Sequence, residues 1–281
     1  MAVAFVIGLV VWVGHELTTE YPVADLPAFG QVSFSAATFV NGALIFVTYG
    51  SQMAISLWLQ TLMGYPSLKA GVAMVALGLG GIISMPLAAF LVTKLDPRHI
   101  FIGGIFTFSA SFYLLMGFNP NVTFGDVFLP LFLQGLALGL VFVPLSILAV
   151  VGIPNEKMGN TTGLFNMMRN IGGGVGISIV ETMLTRMGQQ HTNLLVANVD
   201  QTSPSAVSLI RGLKGLYVGS GPVLADQQAY ATLFGLVERQ AAMVALVRVF
   251  QYMTVMVLAL IPLIFLTKRP HKGESSPPNG P

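Results

Sequence analysis

Charge-free apolar stretches of about 20 residues recur along almost the whole chain, and each is long enough to cross a lipid bilayer as a single helix. In lipid the backbone must satisfy its own hydrogen bonds, so such stretches fold as helices bundled side by side. Composition agrees with that reading. Of 281 residues, 54% are hydrophobic and 9% charged, against roughly 25% charged in an average soluble chain. So few charges cannot coat a soluble surface, and an all-α integral membrane fold follows. A net charge of +2 on thirteen Lys and Arg forms no basic face for nucleic acid. The absence of cysteine excludes disulfides, thiolate metal sites and a Cys nucleophile.

Spans are expected at about 34–61, 70–93, 99–118, 127–152, 160–186 and 243–267. The connections GYPSL, KLDPRH, FNPNV and IPNEKMG are short and turn-like. Residues 188–242 are the exception: polar, with Pro204 and Gly219-Ser220-Gly221, they are expected to pack as short amphipathic helices on the membrane surface. The tail 268–281, KRPHKGESSPPNGP, is too polar and too rich in Pro and Gly to fold alone. At the other end, MAVAFVIGLVVWVG has neither a basic leader nor a small-residue cleavage site and is short for a span. Residues 1–15 therefore read as the end of a transmembrane helix that began earlier. Lys94, Arg98, Lys157, Lys268, Arg269 and Lys272 share one side of the membrane, and Lys69 stands alone in the short loops opposite. The side richer in Lys and Arg is cytoplasmic, which places the tail in the cytoplasm and Met1 outside.

Polar side chains within the spans must face protein or a water-filled cavity. In the first full span Thr48, Gln52, Ser56 and Gln60 recur every four residues, with Asn41 and Tyr49 close to the same face. They either bond neighbouring helices or line a cavity. The stretch NTTGLFNMMRNIGGGVGISI, 160–179, places Thr162, Asn166, Arg169, Asn170, Gly173 and Gly176 on one face. Arg169 falls about 14 Å in from Asn160, near mid-membrane. There an arginine costs about 2.5–3.5 kcal/mol unless solvated or paired. It is either a structural arginine satisfied by carbonyls or part of a transport path. Gly172 and Gly176, like Gly135 and Gly139, have the spacing that lets helices approach closely, and Gly172-Gly173-Gly174 would ease a bend. Met167, Met168 and Met183 would suit an adaptable apolar cavity. Glu181 and Arg248, near the outer ends of adjacent spans, are expected to pair. No carboxylate lies at mid-depth, so an intramembrane proton carrier is not evident.

Enzyme chemistry has no support. His15, His99, His191 and His271 show no metal spacing, and GGGVGIS lacks the last glycine of a dinucleotide fingerprint and follows no strand.

Several segments together resemble one family in order along the chain. HELTTEYPVADLPAF is similar to the cytoplasmic link before the C-terminal bundle of the fourteen-helix drug:proton antiporters of the EmrB/QacA type, in the major facilitator superfamily. MPLAAFLVTKLDPRH resembles their loop signature between the second and third helices of that bundle. LQGLALGLVFVPL resembles the glycine-rich next span, GNTTGLFNMMRNIGGGVGISI the arginine-glycine helix, and ERQAAMVALVRVF the approach to the last helix. The resemblance implies the C-terminal six-helix bundle of such a transporter over 33–267, with an extracytoplasmic loop at 188–242, a cytoplasmic link at 16–32 and part of a linking helix at 1–15. It implies multidrug efflux across a bacterial inner (plasma) membrane, driven by the proton gradient with no cofactor and no metal, of amphipathic and often cationic small molecules. Its implied partners are the lipid bilayer, an N-terminal half of the transporter and, in some members, a periplasmic adaptor and outer-membrane channel. Asn41, Tyr49, Gln52, Ser56, Asn166 and Arg169 then line the substrate cavity, and Arg169, Glu181 and Arg248 are the coupling or structural charges. Ala89, Lys94 and Arg248 depart from the family pattern. A same-fold transporter of an organic anion, lipid or siderophore, or a non-transporting truncated subunit, remain the alternatives.

Overall fold

The computed structural model describes residues 29–118, 122–151, 153, 158–198, 204–217 and 221–267. The expected helix end at 1–15, nearly all of the link at 16–32 and the tail at 268–281 lie outside the described residues. The described residues form eight helices and no strand: α1 Val32–Thr61, α2 Ser67–Lys94, α3 Pro97–Met116, α4 Phe124–Val150, α5 Met158–Asn198, α6 Pro204–Leu216, α7 Pro222–Leu258 and α8 Ile261–Ile264.

Helix starts follow local chemistry. Asp96 caps α3 by accepting the backbone N–H of Arg98 at 3.0 Å, with Pro97 in the first turn, where its missing N–H costs nothing. Thr123 and Asp126 form a reciprocal capping box at α4. Gly221 adopts φ 87°, a left-handed turn that favours glycine, just before Pro222 opens α7.

Five described segments are apolar and long enough to cross a membrane: Val32–Thr61, Ser67–Lys94, Pro97–Met116, Phe124–Val150 and Leu224–Ile264. Helix α5, expected to span at 160–186, does not reach that apolarity, because Asn160, Asn166, Arg169, Asn170 and its glycines dilute it. Its position is set by packing instead. Gly172 meets Gly42, Gly176 meets Phe46, and Val180 meets Gly50, so α5 runs alongside α1 in the same direction. A second parallel pair is α2 with α4, where Leu77 meets Gly135 and Ser84 meets Gly139. Helix α3 packs on α4 and α7; its Phe108 and Phe112 meet edge to face at a centroid distance of 5.1 Å, and Phe112 stacks on Phe250 of α7 at 5.8 Å.

The segment 188–242 differs from expectation. Instead of separate short helices, α5 continues unbroken to Asn198 and α7 already begins at Pro222, leaving α6 as the one short helix among the described residues of the loop. The 41 residues of α5 extend about 60 Å at 1.5 Å per residue, twice the thickness of a bilayer core. The reason is the lack of a stop signal: no proline lies between Gly188 and Pro204. Polarity marks where the helix leaves lipid, not where it ends. Helix α6 folds against α7 through a Lys214–Asp226 ion pair at 2.9 Å and a Tyr217–Thr232 hydroxyl contact at 3.1 Å. That hydrogen bond to Asp226 pushes the Lys214 ammonium pKa up. The triple glycine 172–174 likewise produces no break in α5.

Candidate functional site: a cavity on the α1/α5 seam

With no hydrophobic gain from leaving lipid, membrane helices associate by close packing, which favours small residues where backbones approach. Gly172 and Gly176 of α5 have that role: a Cβ on either would overlap the carbonyl oxygen of Gly42 or of Phe46. Gly173 takes the ring of Tyr49 at 2.6 Å from where its Cβ would be, whereas Gly174 faces open space. Near the start of α1, Asn41 is wholly buried and donates its Nδ2 to the carbonyl of Phe165 at 3.0 Å. Its Oδ1 is buried with no partner among the described residues.

Beside this latch the helices part around a cavity of about 320 Å³, near the lower limit of ligand pockets, which run from about 300 to 1,000 Å³. Asn41 and Phe34 of α1, Phe142 and Ser146 of α4, and Asn166 and Arg169 of α5 are among its walls. It reaches from where α1 begins and α4 turns into α5, the side read from the sequence as cytoplasmic, inward along the helices to Asn41 and Arg169. The guanidinium of Arg169 sits 5.6 Å from the centre of the Phe142 ring, within range of a cation–π contact. It makes no ion pair or hydrogen bond among the described residues, so its five N–H donors are uncommitted. Among the described residues no carbonyl holds Arg169 as one would hold a structural arginine. No carboxylate among the described residues lines the cavity.

Asn41, Asn166 and Arg169 thus come together, while the other expected lining residues do not join them. Tyr49 is in the α1/α5 seam against Gly173. Ser56 accepts at both Oγ and carbonyl from Gln60 Nε2, which links on to Ser67 at the α1–α2 turn. Gln52 is half-buried away from the cavity lining. Thr48 spends its hydroxyl on Leu44 of its own helix. The regular spacing overstated the stripe, because a hydroxyl on a helix satisfies itself on the preceding turn and needs no cavity. Glu181 and Arg248 do not pair: both are exposed, and Arg248 donates instead to Gln251 at 3.3 Å. Their neighbours Val180 and Met253 are the residues turned inward, toward Gly50, which leaves the two charges on outer faces. Of the methionines, Met85 lines the cavity and Met183 packs on the core.

Sequence reading passed over three residues that tie helices together. Gln134 of α4 donates to Ser51 of α1, both wholly buried. Ser84 of α2 accepts the N–H of Gly139 at 3.1 Å and lies 3.2 Å from the carbonyl of Gly135. Gln134 and Ser84 are lone polar residues in apolar runs, the signal that marks a protein-facing position, whereas Ser51 stands beside Gln52.

Residues 1–177, more than half of the chain, match the family model of the Major Facilitator Superfamily. The Multidrug export protein EmrB of Haemophilus influenzae is 29% identical over 271 residues, covering 96% of this chain and 51% of the relative. The protein of the same name from Escherichia coli is 27% identical over the same coverage. The Fatty acid resistance protein FarB of Neisseria gonorrhoeae is 26% identical over 94% of this chain and 50% of its own length. The chain spans about half the length of these curated relatives. With bacterial relatives and several helices able to cross a bilayer, it is a multi-pass protein of the bacterial inner membrane. On the family match and the glycine-packed helical bundle together, the chain belongs to the Major Facilitator Superfamily.

Proposed function

We propose that this chain forms the C-terminal six-helix part of a proton-driven exporter of amphipathic drugs or other toxic compounds, with residues 33–267 as the bundle. An N-terminal bundle completes the transporter, residues 1–15 and 16–32 supply the linking helix end and the cytoplasmic link, and 268–281 form the tail. The two bundles rock about a site near the bilayer midplane, exposing it to each side in turn. The observation that carries this reading is the cavity on the α1/α5 seam, where Arg169 offers an uncommitted charge beside Asn41 and Asn166. A charge held in a membrane bundle without a partner is costly, so it marks function.

Among the described residues no acid lines the cavity, and in this reading the carboxylate that couples export to the proton gradient is supplied by the N-terminal part. A partner acid there would meet Arg169 in one orientation and lose it in the other. A periplasmic adaptor and an outer-membrane channel would carry the product onward, and the helices that project beyond the membrane, α5 and α7, supply surface for such a partner. The names of the relatives, multidrug export and fatty acid resistance, support export of an amphipathic compound. The test is efflux of a fluorescent amphipathic dye from cells carrying the full-length transporter. Arg169→Ala, at unchanged protein level, is expected to cut efflux at least tenfold. Unaltered efflux would remove this cavity from the mechanism.

A further inference from the structure

We infer that the outward face of α7 holds a resident phospholipid of the outer leaflet, an anionic one such as phosphatidylglycerol, with its phosphate on Arg248. The lipid is a fixture and not cargo, so the site stands whether or not the chain exports anything. Depth is the first observation. At the end read from the sequence as cytoplasmic, Arg98 near the start of α3 donates to the carbonyl of Thr267, just past α8. From that tie Phe118 lies about 30 Å away along α3, and Arg248 about 28 Å away along α7 and α8, at 1.5 Å per residue. The hydrocarbon core of a bilayer is about 30 Å thick. Phe118 and Arg248 share the walls of one cavity of about 330 Å³, so both helices put it at the opposite interface, where lipid phosphates lie. This cavity and the one on the α1/α5 seam have no helix in common, so it opens on a different flank of the bundle.

The second observation is the direction of the arginine. Leu246, Val249, Phe250 and Met253 are buried in the bundle, whereas Arg248 and Gln251 are exposed. An arginine on the outside of a span is tolerated where its head reaches polar groups at the interface. Helical side chains lean toward the N-terminus, which for α7 is the outer end, so the guanidinium reaches outward. Among the described residues it bonds to Gln251 alone, Nη1 donating to Oε1 at 3.3 Å, and no carboxylate lines the cavity. That bond occupies the amide oxygen and leaves the Gln251 NH2 and the rest of the guanidinium as donors. Lys69, near the same interface on α2, differs, because its ammonium already lies over the Tyr65 ring at 4.0 Å. Third, Gln240, Arg248, Gln251 and Val255 lie on one face of α7 in the order of a phospholipid's own parts. Gln240, about 12 Å further out than Arg248, suits the hydroxyls of the head group. The guanidinium fork matches the phosphate oxygens. Gln251, one turn deeper, can donate to an ester carbonyl, and the exposed Val255 below it continues into the path of an acyl chain. A choline head would bring a second cation beside Arg248 with no acid to receive it, so an anionic head is preferred.

Trp58 supplies a reporter, since its ring lies 5.2 Å, centre to centre, from that of Phe118 in the cavity wall. The chain has two tryptophans, so Trp12→Phe leaves Trp58 as the sole fluorophore. That protein is reconstituted in phosphatidylcholine nanodiscs with increasing fractions of a lipid brominated on its acyl chains, either phosphatidylglycerol or phosphatidylcholine, and quenching of Trp58 is read. Brominated phosphatidylglycerol is expected to reach half-maximal quenching at about one fifth of the fraction that phosphatidylcholine needs, the usual contribution of one basic residue at an anionic lipid surface. Arg248→Gln is expected to bring the two lipids level. Arg248→Lys is expected to keep part of the preference, and Lys69→Gln to keep all of it. Quenching by brominated phosphatidylcholine, unchanged in a folded variant, separates loss of the site from loss of the fold. Equal quenching by the two lipids in the unmodified chain would overturn the inference and leave this face to a protein partner. A preference that survives Arg248→Gln would overturn it too. So would one lost equally in Lys69→Gln, which would be the general pull of a basic surface.

Discussion

The pairs α1/α5 and α2/α4 use the same device to opposite ends. Each is a parallel pair of helices whose backbones approach through glycines, Gly172 and Gly176 in one and Gly80, Gly135 and Gly139 in the other. In α2/α4 the approach is locked midway by Ser84, whose hydroxyl reaches Gly135 and Gly139 across the seam. In α1/α5 the lock is at one end, where Asn41 holds Phe165, and next to it the helices separate around the cavity. Counted as two sets of three helices in chain order, the pairs are counterparts. The α2/α4 seam is closed around Ser84 and parts only at its far end, around an apolar cavity lined by Val72, Ala76, Phe124 and Phe128, whereas the α1/α5 opening has an uncommitted arginine at its edge. Close packing by small residues therefore fixes which helices meet. A few polar side chains decide whether the contact is a strut or a site.

The largest effect is expected where the closed seam has no room to give. A Cβ on Gly135 would overlap the carbonyl oxygen of Leu77 and crowd Gly81 N at 3.0 Å, both backbone atoms that cannot rotate away. Gly135→Ala is thus expected to force α2 and α4 apart at a cost of about 3 kcal/mol or more, the upper range for overpacking. Thermal unfolding of the purified protein would read this as a fall in Tm of several degrees. A Tm within one degree of the parent would mean that the seam is soft.

The open seam gives a finer test within three consecutive residues. Gly172→Ala would overlap Gly42 backbone and Gly173→Ala would press on the Tyr49 ring at 2.6 Å, but at Gly174 nothing lies within 4 Å. The first two substitutions are expected to destabilise, by about 1–3 kcal/mol, with Gly173→Ala the milder because a ring can shift. Gly174→Ala is expected to stabilise α5 by up to about 1 kcal/mol through helix propensity. The same sign of Tm change at all three would break the account of how α5 docks on α1.

These two seams differ in how much of them the sequence disclosed. Glycine spacing picks out Gly135, Gly139, Gly172 and Gly176 as contact positions, but four-residue spacing cannot name the partner helix, which depends on tertiary arrangement. The spans from Val32 to Val150 are legible because lipid demands long apolar runs. Helix α5 is less so, since its polar residues lower its apolarity and its helix continues past the membrane. Arg169 stood out in the sequence because a charge at mid-membrane is costly, and the structure places it, exposed, on the cavity wall. Gln52 and Ser56 do not line this cavity, because periodicity reports a face and not what it faces. The Glu181–Arg248 pairing failed for a related reason: similar depth does not fix rotation about the axis, and Val180 and Met253 take the inward positions.

A smaller contrast is expected between the two polar locks. Ser84→Ala removes a buried hydroxyl from the helix-to-helix link, at about 0.5–1.5 kcal/mol, the usual net value of such a bond. Asn41→Leu also removes a cross-seam bond, but deletes an unpartnered buried Oδ1 with it. Removing an unsatisfied acceptor relieves a desolvation cost, so Asn41→Leu is expected to cost less than Ser84→Ala. A larger Tm loss for Asn41→Leu would mean that Oδ1 has a bound guest in the resting protein, and would bring the two locks back into equivalence.

The smallest effect on stability is expected at the residue with the largest effect on function. The one described contact of Arg169 is the Phe142 ring at 5.6 Å. A partly exposed cation–π pair contributes about 0.5–1 kcal/mol. Arg169→Ala is thus expected to shift Tm by no more than a degree or two, because no hydrogen bond or ion pair among the described residues is lost with it. A structural arginine behaves otherwise: removing it would strand its acceptors inside the bundle and cost several kcal/mol. Unfolding measured on Arg169→Ala beside Gly135→Ala therefore separates the two roles within one bundle. If Arg169→Ala melts as early as Gly135→Ala, the guanidinium holds the seam together. If it melts with the parent while efflux falls, the open seam keeps its arginine for a ligand.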